Sequence, residues 1–381
     1  MNPIIPAQLE GIYNETEYTR QQAYQKENSR FGVYSALFSF VILLAVLLLG
    51  GFGWLDNLLR NYINNEVGLT LAFFGTIYLI STIISLPFDY YAIFGIEEKF
   101  GFNKSTPKVF WIDQIKGLLI TIVLGGAILS LITWFYNGLG NVAWLYAWGV
   151  VTVFSLFMTL FYSNLIVPLF NKQTPLEEGE LRDAIEAFGQ KAGFGINNIY
   201  VMDASKRSTK ANAYFTGFGS KKRIVLYDTL INDLSTNEIV AVLAHEIGHY
   251  KKRHTLQSMI ISICYTGIVL YLISLFLNNT GIAEALGANE PSFHIGLIAF
   301  SVLFTPISLV LGIFSSMMSR KNEYQADAYA ASFGLGDELI GGLKKLSVKS
   351  LSNLNPDSLY VFFYYSHPTL LQRIEKLKPA H

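Results

Sequence analysis

The chain has 381 residues, and its 28 Lys and Arg are balanced by 28 Asp and Glu, for a formal net charge of zero. It is 51% hydrophobic and only 15% charged, where soluble proteins carry about a quarter charged residues. Neutrality gives no general attraction for nucleic acid or an acidic partner, and the single cysteine, Cys264, excludes an internal disulfide framework and a cysteine-based metal site.

Residues 1–30 are polar and rich in Tyr, Gln and Glu, and read as a short helix lying at a membrane interface. Apolar runs free of Lys and Arg follow at about 31–53, 67–95, 117–136, 142–169, 255–277 and 295–319. At 1.5 Å per residue, each is long enough to cross a hydrocarbon core of about 30 Å. The first run is too long for a signal-peptide core and follows a polar segment, so no secretory signal is expected. All Lys and Arg except Arg60 fall on alternate loops. Positive charge is retained on the cytoplasmic side, so six spans are expected, with both termini and the large 170–254 segment cytoplasmic.

Between the second and third spans, Asp89, Glu97-Glu98-Lys99 and Asp113 read as solvated charges, and Phe102 and Asn103 as part of a Gly-Phe-Asn turn. Within 170–254, residues 181–192 have helical spacing, with Gly193 as the stop. Three short runs follow, at 198–202, 211–215 and 223–227, with β-like composition. The last two form a hairpin turned by Gly217 and Gly219. The resulting small sheet offers an edge to which an extended peptide could add as a strand.

Residues 245–249 read His-Glu-Ile-Gly-His. A helix turns 100° per residue, so His245 and His249 share one face and converge on a metal ion. Glu246 stands one step around, where it can take a proton from the attacking water and pass it to the leaving amine. Ser235, with Glu238 three residues later, is a capping box that starts this helix near Thr236.

A zinc protease needs three protein ligands and one open position. Glu323, after the sixth span, is the candidate third ligand. Asp327, one turn later, could hold a ligating imidazole by its second N–H. The competing reading of this pair is an exposed acidic helix start. Near the C-terminus, His367 in Ser366-His367-Pro368 could stabilise an oxyanion. Of the other histidines, His254 reads as interfacial, His294 lies on the lightly charged outer side, and His381 ends the chain.

These segments together resemble the type I CAAX prenyl proteases, integral-membrane zinc metalloproteases. The likeness is carried by Ile96-Glu97-Glu98-Lys99-Phe100-Gly101-Phe102-Asn103, Ser205-Lys206-Arg207-Ser208, Asn212-Ala213-Tyr214-Phe215, the 222–230 segment, the His245–His249 motif, Glu323-Tyr324-Gln325-Ala326-Asp327 and Ser366-His367-Pro368. The resemblance implies His245, His249 and Glu323 as ligands of one zinc ion and Glu246 as general base. It implies Asn212 on substrate backbone or oxyanion and His367 on the transition state, with Asp327 and Arg373 as supporting partners. The fold it implies is mainly α, a polytopic transmembrane helical chamber with a small cytoplasmic α+β zinc-protease domain.

Four segments are expected: 1–169, an interfacial stretch and four spans; 170–254, the sheet and metal helix; 255–319, two spans; and 320–381, the third ligand and His-Pro loop. Six spans, against seven in eukaryotic members, suggest a compact bacterial-type member. Its place would be a bacterial inner membrane, or the endoplasmic reticulum in a eukaryote. The expected substrate is a prenylated protein C-terminus or a hydrophobic peptide. A quality-control membrane protease is the alternative within the class, and a non-catalytic scaffold keeping a structural zinc the alternative outside it. A channel or pump is disfavoured, because ionisable residues are missing from the middle of the spans.

Overall fold

The computed structural model describes residues 5, 9–195, 198–217, 222–277 and 279–378. Helix α1 (Glu15–Leu48) is followed by the short α2 (Gly51–Arg60), then α3 (Glu66–Tyr91), which continues through a π turn to Glu97. α4 (Pro107–Ile120) and α5 (Gly126–Gly138) form one rod through a second π turn, and α6 (Ala143–Leu165) and α7 (Val167–Phe170) follow. β1 (Gln173–Pro175), α8 (Glu180–Lys191), β2 (Ile199–Met202), β3 (Ala213–Thr216), β4 (Arg223–Tyr227) and α9 (Asp228–Asp233) lead to α10 (Thr236–Lys251). The chain ends with α11 (His254–Phe276), α12 (Thr280–Ala285), α13 (Phe293–Ala331), α14 (Gly336–Lys349), α15 (Ser358–Tyr364) and α16 (Leu370–Leu377).

Among the described residues six helices are long and apolar enough to cross a membrane, the number expected. Their apolar side chains are largely unburied within the protein, as a lipid-facing surface requires.

The N-terminal polar stretch is not a separate interfacial helix. Asn14 and Glu17 form a capping box, and residues 15–30 are the first half of α1. No Gly or Pro interrupts Glu15 to Phe31, so nothing stops the helix before the span. At 1.5 Å per residue its 34 residues reach about 51 Å, roughly 20 Å more than the hydrocarbon core.

The extra length docks on the loop after α3. Tyr24 packs its ring 5.0 Å from Phe100 and 5.1 Å from Phe102, and its hydroxyl donates to Glu97 Oε1 at 2.5 Å. Two charges expected to be solvated are therefore structural. Glu97 pairs with Lys210 at 2.7 Å, and Asp113 accepts two hydrogen bonds from Arg207, at 2.9 and 3.0 Å. Asn103 bridges to Ser208. These contacts seat the sheet on the membrane helices. Asp89 is exposed, as expected.

The sheet has the order β1-β2-β4-β3, with β2 parallel to β4 and the two edge strands antiparallel to their neighbours. The expected hairpin is β3–β4, with Ala213 opposite Leu226. Gly217 takes φ 83°, a left-handed conformation that suits glycine. Gly219 lies outside the described residues. β1 was not expected; three residues leave too short a pattern to read. The core between sheet and helices holds Ile185, Phe188, Ile224, Leu226, Leu243 and Ile247, each worth about 1.5–3 kcal/mol when fully buried.

Two features of the last span matter. α13 runs unbroken for 39 residues, from Phe293 to beyond Glu323, so no break marks the expected boundary at 319/320. Its N-terminal end carries His294, which is wholly buried, with Nε2 2.6 Å from Asp56 Oδ1. Arg60 pairs with the same Asp56 at 3.1 Å, with Glu66 at 3.1 Å and with Glu290 at 2.6 Å. Arg60, the one cation in the 54–66, 137–141 and 278–294 sequence segments, is thus enclosed by acidic partners.

Candidate active site

Closeness between α10 and α13 is set by Gly248. A Cβ placed there would stand 3.0 Å from the Cα of Ala326 and 3.1 Å from its carbonyl oxygen. A side chain at this position would press the two backbones apart by a few tenths of an ångström. Ser235 and Glu238 start α10 with the expected capping box, and His245 and His249 then face α13 one turn apart.

There they meet Glu323. His245 Nε2 and His249 Nε2 are 3.2 Å apart. The Glu323 carboxylate lies 3.4 Å from the first and 3.3 Å from the second. Tetrahedral ligands at about 2.0–2.1 Å from a shared ion stand about 3.3 Å from one another. Glu323 faces His245 through Oε2 and His249 through Oε1. One ligand atom from each of the three residues lies within 4.8 Å of the others, a grouping that suits a divalent ion. Among the described residues His245, His249 and Glu323 form a group that could hold a metal ion; a tetrahedral ion held by these three would keep one position for water or substrate. Glu323 and Asp327 are buried in the body of α13, and the reading of an exposed acidic helix start does not hold.

Behind the ligands, Asp327 Oδ1 is 2.8 Å from His245 Nδ1. Asp327 also accepts from Arg373 Nε and Nη2, at 2.9 and 2.6 Å. Arg373 is delivered by α16, which begins with a Thr369–Gln372 capping box. Burial alone would lower the His245 pKa, but hydrogen bonds to Asp327 and Glu323 outweigh it and hold the imidazole at about 9. Burial raises the Glu246 carboxyl above the usual range, against the pull of His245 and His249. A raised pKa suits a group that must take up a proton near neutrality.

His367 Nε2 lies 3.4 Å from Glu323 Oε1, on the solvent side of the cluster. Its loop is anchored by Arg320 on α13, which donates to the carbonyls of Val361 and Phe362 at 3.3 and 3.5 Å. A cavity of about 330 Å³ opens beside the ligands, lined by Glu246, His249, His254, Asn322 and, from the edge strand β3, Phe215.

Residues 1–172 match the family described as CAAX prenyl protease N-terminal, five membrane helices, and residues 175–380 match peptidase family M48. The chain belongs to the CAAX prenyl protease family of M48 peptidases. It is 34% identical to CAAX prenyl protease 1 of Saccharomyces cerevisiae, over 98% of this chain and 88% of the relative. Identity to the CAAX prenyl protease 1 homolog of Homo sapiens is 32%, with the same coverage. The crystal structure of S. mikatae Ste24p superposes with a TM-score of 0.94 at 34% identity, covering 99% of this chain and 92% of that one.

As a member of the CAAX prenyl protease family, this chain is a multi-pass membrane metallopeptidase with a helical membrane body. Within residues 1–172 it has four membrane-length helices among the described residues, beside the five of the family description.

The structure brings His245, Glu246, His249, Glu323, Asp327, His367 and Arg373 into one site. The described hydrogen bonds of Asn212 are local. It precedes β3, its carbonyl accepts from Tyr227 N–H at 3.0 Å, and its amide oxygen accepts from Ala213 N–H at 2.9 Å. None of its described hydrogen bonds reaches the ligand cluster. His254, read from sequence as interfacial, is buried at 4% exposure and touches both His249 and Gln325. Its signal was its spacing, five residues past His249 at the next helix start.

Proposed function

We propose that this protein is a zinc endopeptidase that cleaves near the C-terminus of prenylated proteins or hydrophobic peptides, with its active site on the cytoplasmic face of the membrane. The carrying observation is the gathering of His245, His249 and Glu323, one ligand atom of each within 4.8 Å of the others, with Glu246 and a cavity beside them. The names of the relatives support the substrate class. The restriction of Lys and Arg to alternate loops supports the cytoplasmic placement, in a bacterial inner membrane or, in a eukaryote, the endoplasmic reticulum.

His245, His249 and Glu323 would hold one zinc ion per chain. When bound, the ion supplies Lewis-acid polarisation of the scissile carbonyl and acidifies the attacking water. The substrate adds along the free edge of β3, with Phe215 against its side chains. Glu246 takes the proton from water and returns it to the departing amine. His367 donates to the developing oxyanion. Asn212 supports the substrate backbone after a side-chain rotation out of its local bond to Ala213. The apolar body shelters the hydrophobic part of the substrate.

Glu246→Gln tests this reading. The variant is expected to retain zinc at wild-type stoichiometry and lose at least a hundredfold in cleavage of a fluorogenic peptide, since general acid–base groups contribute about 10²–10⁴-fold. Undiminished turnover removes the mechanism. A prenylated peptide offered beside its unprenylated twin tests the substrate class; equal cleavage of the two argues for general trimming of membrane proteins.

A further inference from the structure

His249 has two ring nitrogens, and the site just described uses one. Its Nε2 points at the donor cluster, 3.3 Å from Glu323 Oε1. If Nε2 gives its lone pair to a metal, the ring proton must sit on Nδ1, and a buried N–H needs an acceptor. His245 solves the same problem with the Asp327 carboxylate. His249 has no carboxylate there; its Nδ1 faces His254 Nδ1 at 3.0 Å.

Two facing imidazole nitrogens hydrogen-bond only if one carries the proton and the other does not. The far side of His254 decides which. His254 Nε2 lies 2.9 Å from Gln325 Oε1, an oxygen that only accepts, so the His254 proton belongs on Nε2. His254 Nδ1 is then left bare to accept from His249 Nδ1–H. One arrangement satisfies every partner: Gln325 accepts from His254, His254 accepts from His249, and His249 Nε2 is free for the ion. The reverse order would put a proton on His249 Nε2, where it would block the metal.

The backbone bends to make this contact. Arg253, immediately before His254, has φ 61°, a left-handed conformation unusual for a residue with a Cβ. That residue joins α10 to α11 in a tight turn and swings His254 back onto His249, with ring centroids 5.1 Å apart.

We propose that His254, oriented by Gln325, is a positioning residue that fixes the tautomer and ring plane of His249 for metal binding. The inference rests on His245, His249 and Glu323 being the metal ligands. Partners of this kind typically affect metal affinity by 10–100-fold.

The test uses full-length protein in detergent, with Zn²⁺ affinity read by competition against a chromophoric chelator. His254→Leu removes the acceptor and is expected to weaken zinc binding by about 10–100-fold. His254→Asn places an acceptor oxygen where Nδ1 stands and is expected to recover to within about threefold of wild type. Gln325→Leu frees the His254 tautomer without touching His249 and is expected to fall between these. The metal-free forms of His254→Leu and His254→Asn should melt together, which a general packing role would not produce.

Wild-type zinc affinity in His254→Leu overturns the proposal, as does an equal loss in the Leu and Asn variants. If His254→Leu does not fold, Gln325→Leu decides: unchanged zinc affinity there overturns it. A wild-type chain that binds no zinc at all refutes the ligand assignment instead, so the two failures are distinguishable.

Discussion

Gly248→Ala is the sharpest probe of how the site is assembled. The new methyl would sit 3.0 Å from the Cα of Ala326 and 3.1 Å from the Tyr329 Cβ, where carbon–carbon contacts prefer about 3.5–4.0 Å. Relief needs a separation of about 0.5 Å, and the obstacle at Ala326 is backbone, which cannot rotate away. Overpacking of this kind costs about 1–3 kcal/mol. The metal-free protein relieves the strain by letting α10 and α13 part. The metal-bound protein cannot, because ligand distances tolerate only about 0.2 Å. Most of the strain therefore appears as lost metal affinity, about 5- to 150-fold at 1.4 kcal/mol per decade. Chelator competition measures the affinity, and peptide cleavage at limiting zinc should fall in parallel. Gly75→Ala is the control, since a Cβ there meets nothing within 4 Å. Wild-type zinc affinity in Gly248→Ala, with unchanged melting, would refute the claim that this contact sets the ligand spacing.

Asp327→Asn should weaken zinc binding by about 10–100-fold by removing the carboxylate that holds His245 and Arg373, as measured by the same competition. The His245 pKa, raised from 6.5 to about 9 in the folded metal-free site, gives a pH signature. Its stabilising contribution is complete below about pH 6.5 and disappears as the pH rises through 9. The metal-stripped protein should therefore melt lower at pH 9.5 than at pH 6.5, and Asp327→Asn should flatten that slope. For the same reason, zinc uptake at pH 8 should release protons into a weak buffer. At the other end of α13, Asp56→Ala leaves Arg60 and His294 without their shared carboxylate. Because Arg60 keeps Glu66 and Glu290 and His294 keeps Ser292 and Thr70, it should cost about 1–3 kcal/mol, seen as a lower thermal midpoint in detergent.

What the sequence revealed was what lies within one or two helical turns. His245, Glu246 and His249, the Ser235–Glu238 cap and the Glu323–Asp327 pair are all spacings of one to four residues, and the cap and the His245–His249–Glu323 and His245–Asp327 contacts are present in the structure. The spans were legible because a bilayer imposes length and composition on each run separately. Arg320 and Lys321 mark the exit from the apolar run but do not break a helix, so the continuity of α13 was hidden. Pairings across distant segments left no local trace. Asp113 finds Arg207, Glu97 finds Lys210, and Asp56 finds His294 across long stretches of chain. His254 was misplaced because the left-handed Arg253 that turns it inward is invisible in a residue type that rarely adopts that shape.

The unbroken α13 gives the enzyme a lever. From His294 at its buried N-terminal anchor to Glu323 at the chemistry, 29 steps of 1.5 Å make a beam of about 44 Å, with Pro306 as its one proline joint. One degree of tilt about that anchor carries the Glu323 carboxylate about 0.8 Å sideways, several times the slack a metal ligand tolerates. A thinner or thicker bilayer asks such a beam to lean, so hydrolysis should respond to acyl-chain length of the surrounding lipid even when the peptide never touches it.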